Sequence, residues 1–166
     1  MGCFYIPFNM DFTVRKAVKK DVADILRLIK ELAEYEKAPQ EVRVTLEELE
    51  NDGFGPNAVY SAFVAEAEGK IVGMALYYVK YSTWKGRCIY LDDIVVNEKY
   101  RRYGIGGKLF EEVVKVCKAM GARKMDWQVL DWNEPAISFY KKYSTVFANE
   151  WVNCTLHEKQ LKDLKL

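Results

Sequence analysis

Between Tyr60 and Val96 three strand-length apolar runs follow one another with short breaks, and this limits the chain's possible folds more than any other feature. Tyr60–Glu66 alternates with period two, as a strand does. Glu68-Gly69-Lys70 supplies a turn, Ile71–Tyr81 is a second apolar and aromatic run, and Trp84-Lys85-Gly86 lies in the next connection. Cys88–Val96 is nearly all apolar, interrupted only by Asp92 and Asp93. On either side the period changes to that of a helix. Asp21–Tyr35 carries Val22, Ile25, Leu26, Ile29, Leu32 and Ala33 at three/four spacing, which predicts an amphipathic helix. Leu109, Phe110, Val113, Val114, Val116 and Cys117 predict another, opened by Tyr103-Gly104-Ile105-Gly106-Gly107 and ending near Gly121. Three adjacent central strands flanked by helices make a mixed α/β domain.

The remaining elements are shorter. Thr13–Ala17 reads as a first strand. Thr45-Leu46-Glu47-Glu48 has capping-box spacing, so a helix begins at Thr45 and is expected to stop before Gly53. Lys124–Leu130 reads as a strand, Glu134-Pro135 opens a helix through Tyr140, and Phe147–Leu156 is expected to hold one or two final strands. Residues 1–11 read as an apolar leader and 12–166 as one domain, without repeats or linkers.

Composition narrows the function. With 25 Lys+Arg against 24 Asp+Glu the net charge is +1, so no basic footprint for nucleic acid is present. No apolar run approaches a membrane span of about 20 residues. Cys3, Cys88, Cys117 and Cys154 are widely spaced, which fits a reducing, cytoplasmic setting better than a disulfide framework or a zinc ribbon. The single histidine, His157, precludes a multi-His metal site, and no G-x-S-x-G elbow exists for it to serve.

Two places could carry chemistry. The run Arg101-Arg102-Tyr103-Gly104-Ile105-Gly106-Gly107 stands between a strand and a helix. Helix N-termini present unpaired N–H groups and a positive dipole end, and glycines admit a bulky pyrophosphate. Spacing leaves open both an anion site and a plain glycine turn. Asp92 and Asp93 interrupt an apolar strand. Neighbouring strand residues face opposite sides, so each is expected in its own environment. Such a carboxylate serves as a base or ammonium anchor, or else sits at a frayed end or pairs with an arginine. The aromatic residues read as packing.

Arg101-x-x-Gly104-x-Gly106 resembles the acetyl-CoA pyrophosphate motif of the GNAT acetyltransferases. Asp24–Ala33, Asp52-Gly53-Phe54-Gly55, Tyr81–Arg87, Tyr90-Leu91-Asp92-Asp93-Ile94, Asp131–Pro135 and Phe139-Tyr140-Lys141 resemble their spermidine/spermine (diamine) branch, in family order over about residues 12–143. Ser82-Thr83-Trp84-Lys85-Gly86-Arg87 is similar to the thialysine sub-branch. The resemblance implies an α/β (α+β) GNAT fold: a mixed, twisted sheet flanked by helices, with an acetyl-CoA cleft between splayed strands. It implies transfer of acetyl from acetyl-CoA to a small primary amine, a homodimer and no metal. Ile94, Val95 and Val96 would meet the acetyl-pantetheine arm. Arg101, Arg102, Tyr103, Gly104, Ile105, Gly106 and Gly107 would hold the pyrophosphate, and Asn133, Glu134, Pro135 and Ala136 would contact CoA. Tyr140 would protonate the departing thiolate and Asp92 would act as base, directly or through water. Tyr35, Glu36, Ser82, Trp84, Asp92, Asp93, Asp126, Trp127 and Gln128 would shape the amine site. This chain carries Ser82 where polyamine enzymes have an acidic residue, Asp92 where Glu is usual, and Arg102 and Ser144 where Gly is frequent. Protein acetylation and non-catalytic acetyl-CoA binding are the alternative functions.

Overall fold

The computed structural model describes residues 10–148 and 150–165. The expected leader therefore lies almost wholly outside the described residues. Contacts divide the chain into two compact units, separated after Gln128.

The first unit is built on a mixed five-stranded sheet in the order β1-β2-β3-β4-β5: β1 (Thr13–Lys16), β2 (Ser61–Ala67), β3 (Lys70–Ser82), β4 (Gly86–Val96) and β5 (Met125–Asp126). The first four pair antiparallel; short turns join β2 to β3 and β3 to β4, whereas α1 and α2 lie between β1 and β2. Strand β5 joins β4 in parallel through two residue pairs only, Ile89 with Met125 and Tyr90 with Asp126. Sequence predicts a longer strand, Lys124–Leu130. A strand propensity needs a partner edge, and Asp126 is held by Lys124 at 2.8 Å and Lys80 at 3.4 Å while Trp127 packs edge-on against Phe110 at 5.4 Å.

Helices α1 (Val22–Tyr35) and α3 (Ile105–Ala119) pack on opposite faces of the sheet. Met74 and Leu76 of β3 join Ile25 and Leu28 of α1, with Val64 and Val95, in one buried cluster. Gly73, which alternation turns the other way, faces α3. A Cβ there would stand 3.0 Å from the Val95 carbonyl oxygen and 3.2 Å from Leu109, so glycine sets how closely α3 approaches. Helix α2 (Leu46–Phe54) begins with the expected capping box: the Glu48 N–H donates to Thr45 Oγ1 at 3.1 Å and the Thr45 N–H to Glu48 Oε2 at 2.8 Å. It continues through Gly53, contrary to expectation. The Tyr60 ring lies against Gly53, where a Cβ would meet Cζ at 2.4 Å, and the Tyr60 hydroxyl donates to the Leu49 carbonyl at 2.6 Å. Tertiary packing thus keeps a helical glycine that local preference would place at an end.

In the second unit, α4 (Glu134–Lys141) starts after Asn133, whose Oδ1 accepts from the Ala136 N–H at 3.3 Å. Helix α5 (Glu158–Asp163) follows His157. The strands expected within Phe147–Leu156 are absent among the described residues. An apolar alternation forms a strand only where an edge pairs with it, and no described strand does.

Asp21 is almost fully buried. It accepts both guanidinium nitrogens of Arg15, at 2.6 and 2.9 Å, and the Val18 N–H at 2.8 Å. The Arg15 hydrogen bond leads in holding its pKa below the ordinary carboxylate range. That stabilisation is present above the unfolded pKa and is lost as pH falls through the lower folded one. Replacing Arg15 by Met strands the carboxylate. Because Arg15 is 32% exposed, the expected loss is about 2 kcal/mol rather than that of a fully buried pair. Urea denaturation measures it, and the deficit should narrow below about pH 4.

Candidate active site

The site grows from β4. On one side the strand is paired with β3 along its length, and the Asn97 N–H donates to the Val72 carbonyl at 2.8 Å. In an antiparallel ladder alternate residues turn their N–H and C=O outward. Val95, opposite Met74, therefore directs its backbone groups to β3, whereas Ile94 and Val96 direct theirs to the far edge. That edge is paired with β5 only as far as Tyr90. Backbone groups of Ile94 and Val96 consequently lie beyond the last β5 pair. The Val96 carbonyl accepts from Arg101 Nε at 3.0 Å, and the Arg101 guanidinium lies 5.1 Å from the centre of the Tyr35 ring. Arg101 thus secures the end of β4, and Tyr35 supports it.

A bulge interrupts the β3–β4 ladder. Leu76 pairs with Asp93 and Tyr77 with Leu91, which leaves Asp92 as the extra residue. Regular alternation would separate the two aspartates. The bulge instead lets both line one cavity of about 660 Å³, which overturns the expectation of separate environments. Glu36 joins them. It sits where α1 ends in a Schellman turn: the Ala38 N–H donates to Ala33 at 2.9 Å and the Lys37 N–H to Glu34 at 3.1 Å, with Lys37 at φ +61°. Burial raises the pKa of Glu36 and of Asp92. Asp93 rises to about 6, through burial first and then the charges of Asp92 and Glu36.

The cavity is also lined by residues that sequence reasoning did not select: Glu41, Arg43, Asp52 and Tyr60, with Tyr78 on β3. The Tyr60 pKa is pushed up to about 12 by burial and by Asp52. The capping box before α2 was the only sequence signal that fixed this segment's place.

The glycine loop adopts the form an anion site needs. Gly104 has φ +86°, and a Cβ on it would meet nothing within 4 Å; one on Gly106 would meet only Val96 at 3.8 Å. No side chain caps the N-terminus of α3, so its first N–H groups have neither a cap nor an intrahelical acceptor. Open space, an uncapped helix end and the exposed Arg102 and Lys108 fit a pyrophosphate. Arg102 holds φ +69° and Ser144 φ +55°: both keep the left-handed backbone of the glycines they replace.

Within the first unit, Tyr35, Ser82, Trp84, Asp126, Trp127 and Gln128 do not line the cavity. Ser82 Oγ accepts from the N–H groups of Trp84 and Lys85 at 3.3 and 3.2 Å, fastening the β3–β4 turn. Trp84 is largely exposed. Asp126 is occupied by lysines and Trp127 by Phe110; neither they nor Gln128 line the cavity. In the second unit Asn133 and Tyr140 are buried. The Tyr140 ring lies 5.2 Å from that of Phe139, and its carbonyl accepts from Thr145 Oγ1 at 2.9 Å. Among the described residues no three His, Cys, Asp or Glu side chains are grouped to hold a metal, and no helix is long and apolar enough to cross a membrane.

An open sheet with a half-paired β4 and a glycine-turn helix N-terminus defines an acetyltransferase architecture, and the chain belongs to the acetyltransferase (GNAT) family, whose model matches residues 22–144. It is thus an acyltransferase of a family that uses acetyl-CoA as cosubstrate. Over 136 residues it is 46% identical to the thialysine N-epsilon-acetyltransferase of Bos taurus, covering 77% of this chain and 80% of that one. It is 35% identical over 140 residues to the human spermidine/spermine N(1)-acetyltransferase-like protein 1, covering 80% of this chain and 20% of that protein. An aminoglycoside acetyltransferase from an uncultured soil metagenomic sample, in complex with trehalose, shares the fold with a TM-score of 0.73 at 20% identity, over 88% of this chain and 95% of that one.

The Asp93 titration has a measurable consequence. A carboxyl whose folded pKa is about 6, against 3.8 in the unfolded chain, binds more protons when folded, so stability falls as pH rises between those values. The loss reaches about 3 kcal/mol by pH 7. Asp93→Asn should remove that decline, and denaturation curves of both proteins from pH 4 to 7 measure the difference.

Proposed function

We propose that this enzyme transfers acetyl from acetyl-CoA to the primary amine of a small molecule, a thialysine-like or lysine-like amino acid before a polyamine or diamine. The observation that carries this reading is the cavity in which Glu36, Asp92 and Asp93 converge beside the open edge of β4. A cluster of carboxylates attracts an alkylammonium, and the names of the bovine and human relatives support amines of this class.

An alkylammonium must lose a proton before its nitrogen can attack a thioester. The Asp92–Asp93 pair accepts that proton, directly or through water; Asp93, with its pKa raised to about 6, is ionised at neutral pH yet basic enough to serve. The nitrogen lone pair then forms the C–N bond, the C–S bond breaks, the sulfur takes a proton from Tyr140, and the second amine proton leaves the new amide nitrogen to solvent, from which the Tyr140 phenolate is reprotonated. Acetyl-CoA supplies the activated acyl group. Ile94 orients its carbonyl through a backbone N–H, and the N–H groups of Ile105, Gly106 and Gly107, with Arg102, hold its pyrophosphate. Asn133 to Ala136 and Tyr140 enter this reading through their motif. Exposed Trp151 and Val152 in the second unit support a homodimer, and widely spaced thiols support a cytoplasmic site of action.

The test is thiol release from acetyl-CoA against thialysine, lysine, spermidine, spermine, diamines and a lysine peptide. Turnover of the small amines supports the proposal; turnover of the peptide alone, or CoA binding without turnover, replaces it with protein acetylation or a binding module. Two variants probe the machinery. Gly104→Val, by blocking the loop, should weaken acetyl-CoA binding by at least about 2 kcal/mol in calorimetry. Tyr140→Phe should lower kcat by roughly 10²–10⁴-fold with little change in acetyl-CoA affinity.

A further inference from the structure

The acid cavity contains one residue of the opposite sign. Glu36, Glu41, Asp52, Asp92 and Asp93 line it together with Arg43, the only basic side chain on its wall among the described residues. A site made solely for polyamines has no use for a guanidinium, because every substrate nitrogen it receives is cationic and a fixed positive charge opposes entry. An amino acid with a side-chain amine is different. Its reacting ammonium lies at one end, and its other end carries a carboxylate beside a second ammonium. The groups lining the cavity come from different parts of the chain. Asp92, Asp93 and Glu36 come from β4 and the end of α1, whereas Arg43 and its acidic neighbours Glu41 and Asp52 come from the segment before α2 and from α2 itself.

We infer that Arg43 reads the α-carboxylate of the acceptor amino acid, with Glu41 or Asp52 meeting its α-ammonium, so that the distal amine is the one delivered to Asp92 and Asp93. The assignment rests on the amine-acetylation reading and adds the residue that separates amino acids from diamines. Arg43 is suited to this by chemistry and by placement. Its planar fork offers five N–H donors and binds a carboxylate in two parallel hydrogen bonds. It is exposed, whereas Asp93 in the same cavity is half-buried, and a polar head group held by Arg43 can keep part of its hydration. Two valines, Val42 and Val44, flank it on the cavity wall and suit the aliphatic or thioether stem of the substrate.

The experiment compares thialysine with bis(2-aminoethyl) sulfide, the diamine that differs from it only by the α-carboxylate. The quantity read is the ratio of kcat/KM for thialysine to that for the diamine, in the native enzyme and in Arg43→Met, Arg43→Lys and Arg43→Glu. The ratio should fall about tenfold in Arg43→Met and further in Arg43→Glu, as expected for loss and then reversal of a solvent-screened charged contact. Arg43→Lys, which keeps the charge and loses the fork, should lie between native and Arg43→Met. High salt should shrink the native ratio more than that of Arg43→Met. A ratio unchanged across the series, or equal loss of both activities in folded variants, overturns the assignment while leaving amine acetylation standing. Failure of the native enzyme to acetylate either amine overturns the amine reading itself, and the role of Arg43 with it.

Discussion

The site depends on a single strand that is unequally paired. Strand β4 is bonded to β3 along its length, which fixes its position, yet β5 accompanies it for only two residue pairs on the other side. Backbone groups exposed at such an edge are strong hydrogen-bonding groups in need of partners. In an isolated sheet this edge would be a liability. Here Arg101 takes one of the exposed carbonyls, at Val96, and the rest of the edge is available to an extended amide-bearing chain. The buried cluster beneath, from Ile25 and Leu28 to Met74 and Val95, holds the strand rigid while its outer edge stays open.

Charge is arranged with the same economy of elements. The bulge at Asp92 turns two adjacent carboxylates into one cavity, and the Schellman turn closing α1 brings Glu36 to them. Burial and mutual repulsion raise Asp93 toward neutrality, which suits a group that takes a proton from an amine. Positive charge and free N–H groups are placed separately, at the N-terminus of α3. Arg102 stands there in a left-handed conformation, φ +69°, which costs a non-glycine residue about 1–2 kcal/mol. The fold bears this strain beside the uncapped N-terminus of α3, and strain of this kind gathers at functional backbones.

Much of this was legible in the sequence. The three successive apolar runs, the helical periodicity of α1 and α3, the capping box at Thr45 and the Gly104–Gly107 loop each express a local rule: alternation, 3.6-residue spacing, a side-chain cap, a glycine at positive φ. Local rules act within a few residues, so they survive in one dimension. The glycine loop and the aspartates stood out in the sequence for that reason.

What the sequence could not decide was pairing. Lys124–Leu130 and Phe147–Leu156 have strand composition, but only Met125–Asp126 forms a strand among their described residues, because a strand requires an edge contributed from elsewhere in the chain. Alternation placed Asp92 and Asp93 on opposite faces; one unpaired residue, set by the register of β3, put them together. The two N–H groups from which Ser82 Oγ accepts belong to the turn the chain makes after β3, and Arg43 carried no signal until the chain brought it to the cavity that Asp92 and Asp93 line. The sequence by itself determined the two long helices, the three central strands and the glycine loop, since those depend on near neighbours. The composition of the acidic cavity was decided by the tertiary structure, because a cavity is made by residues far apart along the chain.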